Sequence, residues 1–80
     1  MADCYIGPDE LKELIDEEGV FRCTITRLER EIIKGRPQLV MYVIEDPRGI
    51  IITRPLYEDL TRTYGHCSIA DHFFQTEGLQ

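Results

Sequence analysis

Apolar positions at the start of the chain recur with the spacing of one helix face. They are Leu11, Leu14 and Ile15. Pro8 suits the first helical position, and Gly19 is a typical residue just past a helix C-terminus. The pattern therefore predicts a helix over residues 8–18.

The period changes to two from Val20 onward, which is typical of a half-buried strand. Phe21, Cys23 and Ile25 alternate there with Arg22, Thr24 and Thr26. Leu28 breaks this alternation. Either the strand is bulged near Arg27, or it continues with its faces exchanged as far as residues 32 and 33.

The middle of the chain predicts two further strands. A turn at residues 34–37 precedes Gln38–Glu45, which is apolar without alternation. That pattern indicates a strand covered on both faces, and hence a central one. Asp46–Gly49 fits a type I turn and leads into a third strand, Ile50–Thr53, so the second and third strands should form a hairpin.

The remaining residues predict two short helices. Pro55 opens the first and Gly65 ends it, with one apolar stripe of Leu56, Leu60 and Tyr64. Ser68 and Asp71 have the spacing of a weak capping box for a last helix that stops near Gly78. That helix carries Ile69, Phe73 and Phe74.

These elements predict a single α+β domain over residues 1–80. It contains a three-stranded antiparallel meander, one N-terminal helix and two short C-terminal helices. A five-stranded barrel of the oligonucleotide-binding kind is a minor alternative, since it needs two more strands.

The second strand has an apolar surplus on both faces. Val40, Tyr42 and Ile44 point one way, and Leu39, Met41 and Val43 point the other. One explanation is that the first helix covers one face and the last two cover the other. The other is that one face stays open for a second copy or a partner, with the polar side of the first strand as its rim: Arg22, Thr24 and Thr26.

Composition places the chain among small globular proteins, with 42% hydrophobic and 30% charged residues in 80 positions. The longest apolar run, residues 39–44, is far too short for a membrane span, and no secretory leader pattern is present. A cytoplasmic protein without membrane association is expected. The cysteines are odd in number and lack CxxC spacing, which argues against a disulfide framework or a zinc ribbon: Cys4, Cys23 and Cys67.

Negative charge is concentrated at the N-terminus. The formal net charge is −6, and seven of the fifteen acidic residues precede Gly19: Asp3, Asp9, Glu10, Glu13, Asp16, Glu17 and Glu18. Only Lys12 opposes them, whereas eight basic and eight acidic residues balance over the rest of the chain. This charge disfavours direct nucleic-acid binding and favours a larger, basic protein as partner.

The acidic residues are unfavourably placed for a helix over residues 8–18. Asp16, Glu17 and Glu18 would crowd its negative end, and Glu13 would face both Asp9 and Glu17 at like-charge spacing. They form either a solvated face or an anionic contact surface. Asp9 to Glu17 would span about 12 Å, comparable to two or three backbone phosphates, so the surface could exclude a nucleic acid from a basic groove.

Two other candidate sites are weaker. A basic region around the first turn comprises Arg27, Arg30, Lys34 and Arg36, with only Tyr42 nearby to stack on a base. It represents either strand-edge charges or the surface of a nucleic-acid-binding or regulatory homodimer. His66, Cys67 and His72 lack a third orienting group and a second ligand pair, so we expect no catalytic residue, no metal and no cofactor.

The sequence thus favours a small, acidic, non-catalytic interaction protein that inhibits or modulates a nucleic-acid-binding protein. Phage and mobile-element inhibitors, anti-CRISPR proteins among them, share this physical class, although no family motif is present in this chain. The candidate partner-binding residues are four acids and two aromatic anchors: Asp9, Glu13, Asp16, Glu17, Tyr42 and Tyr57. The alternative is a nucleic-acid-binding or regulatory homodimer.

Overall fold

A computed structural model of the chain describes residues 4–19 and 22–77. The described residues form a four-stranded sheet with short helices. The strands are β1 (Tyr5–Ile6), β2 (Ile25–Ile33), β3 (Arg36–Val43) and β4 (Gly49–Ile52). The helices are α1 (Pro8–Leu11), α2 (Arg54–Tyr64) and α3 (Ser68–Thr76), and a 3₁₀ turn over Lys12–Leu14 continues α1.

The strand order is β1-β4-β3-β2, with β1 parallel to β4 and the other pairs antiparallel. The predicted α+β class and the antiparallel meander are confirmed. The expectation of three strands is wrong, because β1 adds a parallel edge strand and makes the sheet mixed. Two residues carry no readable period, so this strand left no pattern in the sequence.

The helix predicted over residues 8–18 is wrong in length. α1 ends at Leu11, the 3₁₀ turn ends at Leu14, and Ile15 is extended with ψ 129°. A longer helix would align Glu13 with Glu17 and set three more acids against the negative end of the dipole. Leaving the helix early avoids that cost. Gly19, at φ 79°, belongs instead to a turn in which its N–H bonds to the Asp16 carbonyl at 2.9 Å.

β2 combines both alternatives drawn from the alternation of its residues. The register shifts between Ile25 and Arg27, as a bulge requires, and the strand continues to Ile33. It begins at Ile25 rather than Val20, and residues 20 and 21 lie outside the described part of the chain. Lys34 (φ 53°) and Gly35 (φ 79°) form the two-residue hairpin turn, so Arg36 and Pro37 belong to β3 instead of the predicted turn.

β3 is interior, as its unbroken apolar run predicted, and Leu39 through Val43 are all buried. Its face with Leu39, Met41 and Val43 joins one hydrophobic core with residues of β1, β4 and α3: Ile6, Ile50, Ile52, Ala70, Phe73 and Phe74. Leucines from the first helical segment and from α2 pack on the same core: Leu11, Leu14, Leu56 and Leu60. All helical segments therefore cover one face, and the expectation that they divide between the two faces is wrong.

The opposite face of the sheet is covered by side chains of the strands themselves. Gly49 lies directly beside Tyr5 in the β1–β4 pair, and a Cβ at Gly49 would meet the Val40 Cγ1 atom at 2.6 Å and the Tyr5 ring at 3.0 Å. The missing side chain lets the Tyr5 ring lie across the sheet toward Val40, which is fully buried.

Hydrogen bonds to β2, the opposite edge strand, hold the Tyr5 ring in this position. Glu31 of β2 accepts a bond from the Tyr5 hydroxyl at 2.6 Å on one carboxylate oxygen and a bond from the Tyr42 hydroxyl on the other. The Arg27 guanidinium lies over the Tyr42 ring, 4.0 Å from its centroid. We call Tyr5, Tyr42 and Glu31 the tyrosine clamp. It links both edge strands across the two interior ones.

The β3–β4 connection is held by one aspartate. Asp46 accepts bonds from the Arg48 backbone N–H at 2.9 Å and from its guanidinium at 3.1 and 2.9 Å. These bonds lower the pKa of Asp46 to about 2. The side chain of Asp46 thus fixes the backbone of this connection through the bond to the Arg48 N–H.

The C-terminal helices follow their predicted positions, although one cap differs. Gly65 ends α2 with φ 91°, as its position indicated. The capping box predicted for Ser68 and Asp71 is wrong: Cys67 occupies the N-cap without a side-chain bond, and Asp71 bonds elsewhere. Gly78, the predicted stop, lies outside the described residues. In the described part of the chain no helix is long and apolar enough to cross a membrane.

Substitution of Gly49 by alanine should destabilise the fold by about 1–3 kcal/mol, because the new methyl group would overlap Val40 and displace the Tyr5 ring. Urea unfolding measures the change. Gly7→Ala is the matched control, since its Cβ would meet only Glu10 Oε2, at 3.6 Å, and should change stability by less than about 0.5 kcal/mol. Equal losses in the two variants would contradict the packing assigned to Gly49.

Glu31→Gln should cost about 1–2 kcal/mol near neutral pH, because it weakens two bonds from tyrosine hydroxyls to a carboxylate. Burial raises the pKa of Glu31, but the bonds from Tyr42 and Tyr5 outweigh it and leave the pKa below its usual 4.5. The stabilisation is therefore complete above pH 4.5 and is lost as the pH falls through the lowered pKa.

The stability gap between wild type and Glu31→Gln should accordingly narrow below pH 4.5 in urea titrations. Glu29→Gln on the same strand is the control, because its exposed pair with Arg27 at 3.1 Å should contribute under about 0.5 kcal/mol. A gap that stays constant down to acid pH would mean that the Glu31 charge plays no part in the clamp.

Candidate functional site

The acidic segment, residues 9–18, follows the edge strand β1, and every carboxylate in it is exposed. Asp9 and Glu10 occupy the first turn of α1, where Glu10 accepts a bond from the Gly7 N–H at 2.7 Å. Glu13 lies in the 3₁₀ turn, and the last three acids follow in a non-helical turn. The 12 Å helical ridge expected from the sequence is therefore absent, and with it the regular phosphate-like spacing.

Part of this charge is balanced within the molecule. Arg22 approaches Asp16 at 3.8 Å and Glu18 at 3.3 Å, and all three side chains are open to solvent. Pairs of this kind contribute little and are weakened by salt. Asp9, Glu13 and Glu17 make no hydrogen bond or ion pair with any described residue. Glu13 is nevertheless close enough to Arg48 to contribute, after Asp46, to the raised pKa of that guanidinium. Asp9 and Glu17, two of the four acids expected to bind a partner, thus face solvent without an internal counter-ion among the described residues.

The arginines of the body are mostly engaged with internal acids. Arg30 binds the Glu77 carboxylate through two nitrogens, at 2.5 and 2.6 Å, and these bonds lower the pKa of Glu77. Arg62 pairs with Asp59 on α2. The net negative charge is therefore left on the acidic segment instead of being spread over the surface.

The basic region expected around the first turn is not one patch. Side chains alternate along β2, so Arg27 lies on the face of the tyrosine clamp and Arg30 on the helical face. Lys34 lies at the hairpin tip, and Arg36 opens β3. By the same alternation Arg36 shares the face of Arg27, so Arg30 is separated from these two and the four residues do not lie on a single face.

The two tyrosines expected as anchors are engaged inside the molecule. Tyr42 is 7% exposed, and its hydroxyl and ring face are occupied by Glu31 and Arg27. Tyr57 stacks on Phe74 with ring centroids 4.5 Å apart. Its hydroxyl donates to Asp71, and this bond raises the pKa of Tyr57 while lowering that of Asp71. Tyr57 therefore holds α2 against α3.

The histidines and cysteines form no larger cluster in the described residues. His66 Nδ1 lies 3.1 Å from Asp71, and Cys67 at the N-cap of α3 and His72 in the middle of α3 are both exposed. Across residues 4–19 and 22–77, no three His, Cys, Asp or Glu side chains are grouped so as to hold a metal ion. Burial, with a smaller contribution from Glu45, raises the pKa of the Cys23 thiol and disfavours its thiolate.

Sequence reasoning missed an apolar groove beside the acidic segment. It has a volume of about 670 Å³ and lies between α2 and the chain leading from α1. Its lining includes Leu11, Ile15, Ile25, Met41, Leu60 and Tyr64. Three of these are substantially exposed: Ile15 at 37%, Ile25 at 45% and Tyr64 at 75%. Little in the sequence indicates this groove, because the spacing of Tyr64 places it on the same apolar stripe of α2 as Leu56 and Leu60.

No protein-family description, curated protein or solved structure matches this chain. The assignment of a function therefore depends on the charges, contacts and surfaces described above.

Proposed function

We propose that this chain is a non-catalytic interaction module that binds a basic surface of a larger protein through its acidic segment. The proposal depends on one observation: Asp9 and Glu17 are exposed and have no internal counter-ion among the described residues, and Glu13, exposed beside them, makes no hydrogen bond or ion pair there. A cationic surface could pair with all three without displacing a contact of the fold.

Electrostatics favour this arrangement over the alternatives. A net charge of −6 accelerates encounter with a cationic partner and repels nucleic acid and other copies of the chain. The competing nucleic-acid-binding dimer would need the basic residues of the hairpin region to act together. Arg27 and Arg30 lie on opposite faces of β2, which disfavours that function.

The nature of the partner follows from the same charge. Extended basic surfaces on intracellular proteins commonly serve to bind nucleic-acid phosphates. A module that occupies such a surface would compete with nucleic acid and inhibit its binding. Competition requires only opposite charge at the shared surface, so it does not need the regular helical ridge that the structure lacks.

Glu17→Lys should lower retention of the partner about three- to tenfold in affinity purification from the native host, and should lower the salt concentration at which the partner elutes. Glu58→Lys is the matched control. Both residues are exposed and lack internal pairs among the described residues, and both reversals change the net charge by two units, from −6 to −4. Glu58 lies on α2, outside the acidic segment.

Double-stranded DNA added as a competitor should release the partner from the wild-type protein. Equal losses for Glu17→Lys and Glu58→Lys would show that only overall charge matters, and would contradict a site on the acidic segment. Retention that is insensitive to both reversals and to DNA would contradict the electrostatic proposal as a whole.

A further inference from the structure

The apolar groove is the feature of this surface that the fold least explains. Burial of exposed aliphatic and aromatic side chains stabilises a protein, yet Ile25 and Tyr64 remain largely accessible on either side of the groove. Ile15 lies at a third point of its border. A contiguous apolar surface of this kind usually marks a site of interaction.

We propose that the apolar groove binds an amphipathic helix whose apolar stripe is flanked by lysines and arginines. This inference rests on the proposed function, and it names the element of the basic partner that makes the contact. The groove supplies the apolar anchor, and the acidic segment supplies the charge beside it.

Charge complementarity identifies the occupant as basic. The acidic segment connects Leu11 and Ile15 to Gly19, all of which line the groove, and Asp59 lines it from α2. In these bordering segments six acids outnumber three bases. The acids are Glu13, Asp16, Glu17, Glu18, Glu58 and Asp59, and the bases are Lys12, Arg22 and Arg62. A second copy would bring a like-charged border and a net charge of −6 to the same place, so self-association is disfavoured.

The lining of the groove favours a helix as its occupant. It consists mainly of side chains from β2, β3 and α2, among them Ile25, Met41 and Leu60. A helix satisfies its own backbone hydrogen bonds and presents apolar side chains at i, i+3, i+4 and i+7, so its apolar stripe can bury such a lining.

The size and shape of the groove agree with the binding of a helix. Its volume of about 670 Å³ equals that of sites that enclose small ligands, but its border residues are too exposed for a small molecule to cover. A helix laid along the groove would contact Ile25 and Tyr64 from above while its apolar stripe reached Met41 and Leu60 below. Its flanking cations would then lie against Asp59 and the acidic segment.

Three synthetic peptides of about 14 residues test the proposal by calorimetry and by ¹⁵N amide shifts of the full chain. The first has leucines at i, i+3, i+4 and i+7 among lysines and arginines. The second keeps the leucines among glutamates, and the third keeps the cations but replaces leucine with serine. We expect micromolar binding of the first peptide, at least tenfold weaker binding of the other two, and amide shifts centred on Ile25 and Tyr64.

Ile25→Ser/Tyr64→Ser should weaken binding of the first peptide at least tenfold. Ile69→Ser is the matched control: Ile69 is 53% exposed but lies on α3 away from the groove, so its replacement should leave binding unchanged. Thr63→Lys provides a second variant in case the double replacement disturbs the fold. It places a cation on an exposed position of the groove lining and should weaken the basic peptide while strengthening the acidic one.

Each other outcome overturns the inference. Absence of peptide binding, together with loss of partner retention in Glu17→Lys, would leave the proposed function standing without the groove. Equal binding of the basic and acidic peptides would remove the electrostatic part of both proposals. A concentration-dependent dimer that Ile25→Ser/Tyr64→Ser dissociates would identify a second copy as the occupant.

Discussion

The central constraint on this fold is that β3 must be buried on both faces while the helices cover only one. An interior strand with five consecutive buried residues cannot leave either face in water without a large loss of stability. The helices and the hydrophobic core protect the face with Leu39 and Met41. The tyrosine clamp protects the other, because Gly49 leaves room for the Tyr5 ring and Glu31 fixes the hydroxyl at its end. The tyrosine clamp thus covers the face of the sheet on which no helix packs.

Much of the framework was predictable from local pattern. The unbroken apolar run identified β3 as interior, the phase break at Leu28 indicated a bulge, and glycines marked the turns and the end of α2. The errors arose where distant contacts decide. Tyr5–Ile6 is too short to show the period of a strand, so its parallel pairing could not be predicted. The role of Asp71 as acceptor for Tyr57 depends on the packing of α2 against α3, which a local pattern does not report. The early end of α1 agrees with the charge repulsion that would destabilise a longer helix.

The candidate site was predictable in its charges but not in its shape. Exposure of Asp9, Glu13 and Glu17 follows from their polarity, whereas the loss of the helical ridge depends on backbone conformation. The anchors expected at Tyr42 and Tyr57 are used internally, and an apolar surface lies instead in the groove that Ile25 and Tyr64 both line. That groove joins residues 39 positions apart, 64 minus 25, and no local pattern reports it.

The parallel pairing of β1 with β4 also constrains the order of folding. Tyr5 meets Gly49 across 44 positions, 49 minus 5, whereas the two hairpins close over turns of a few residues. Long loops close at a higher entropic cost, so the β2-β3-β4 meander should form first and β1 should dock onto a preformed edge. Until β1 docks, the outer edge of β4 has no strand partner, and an unpaired strand edge is a place where another chain can add.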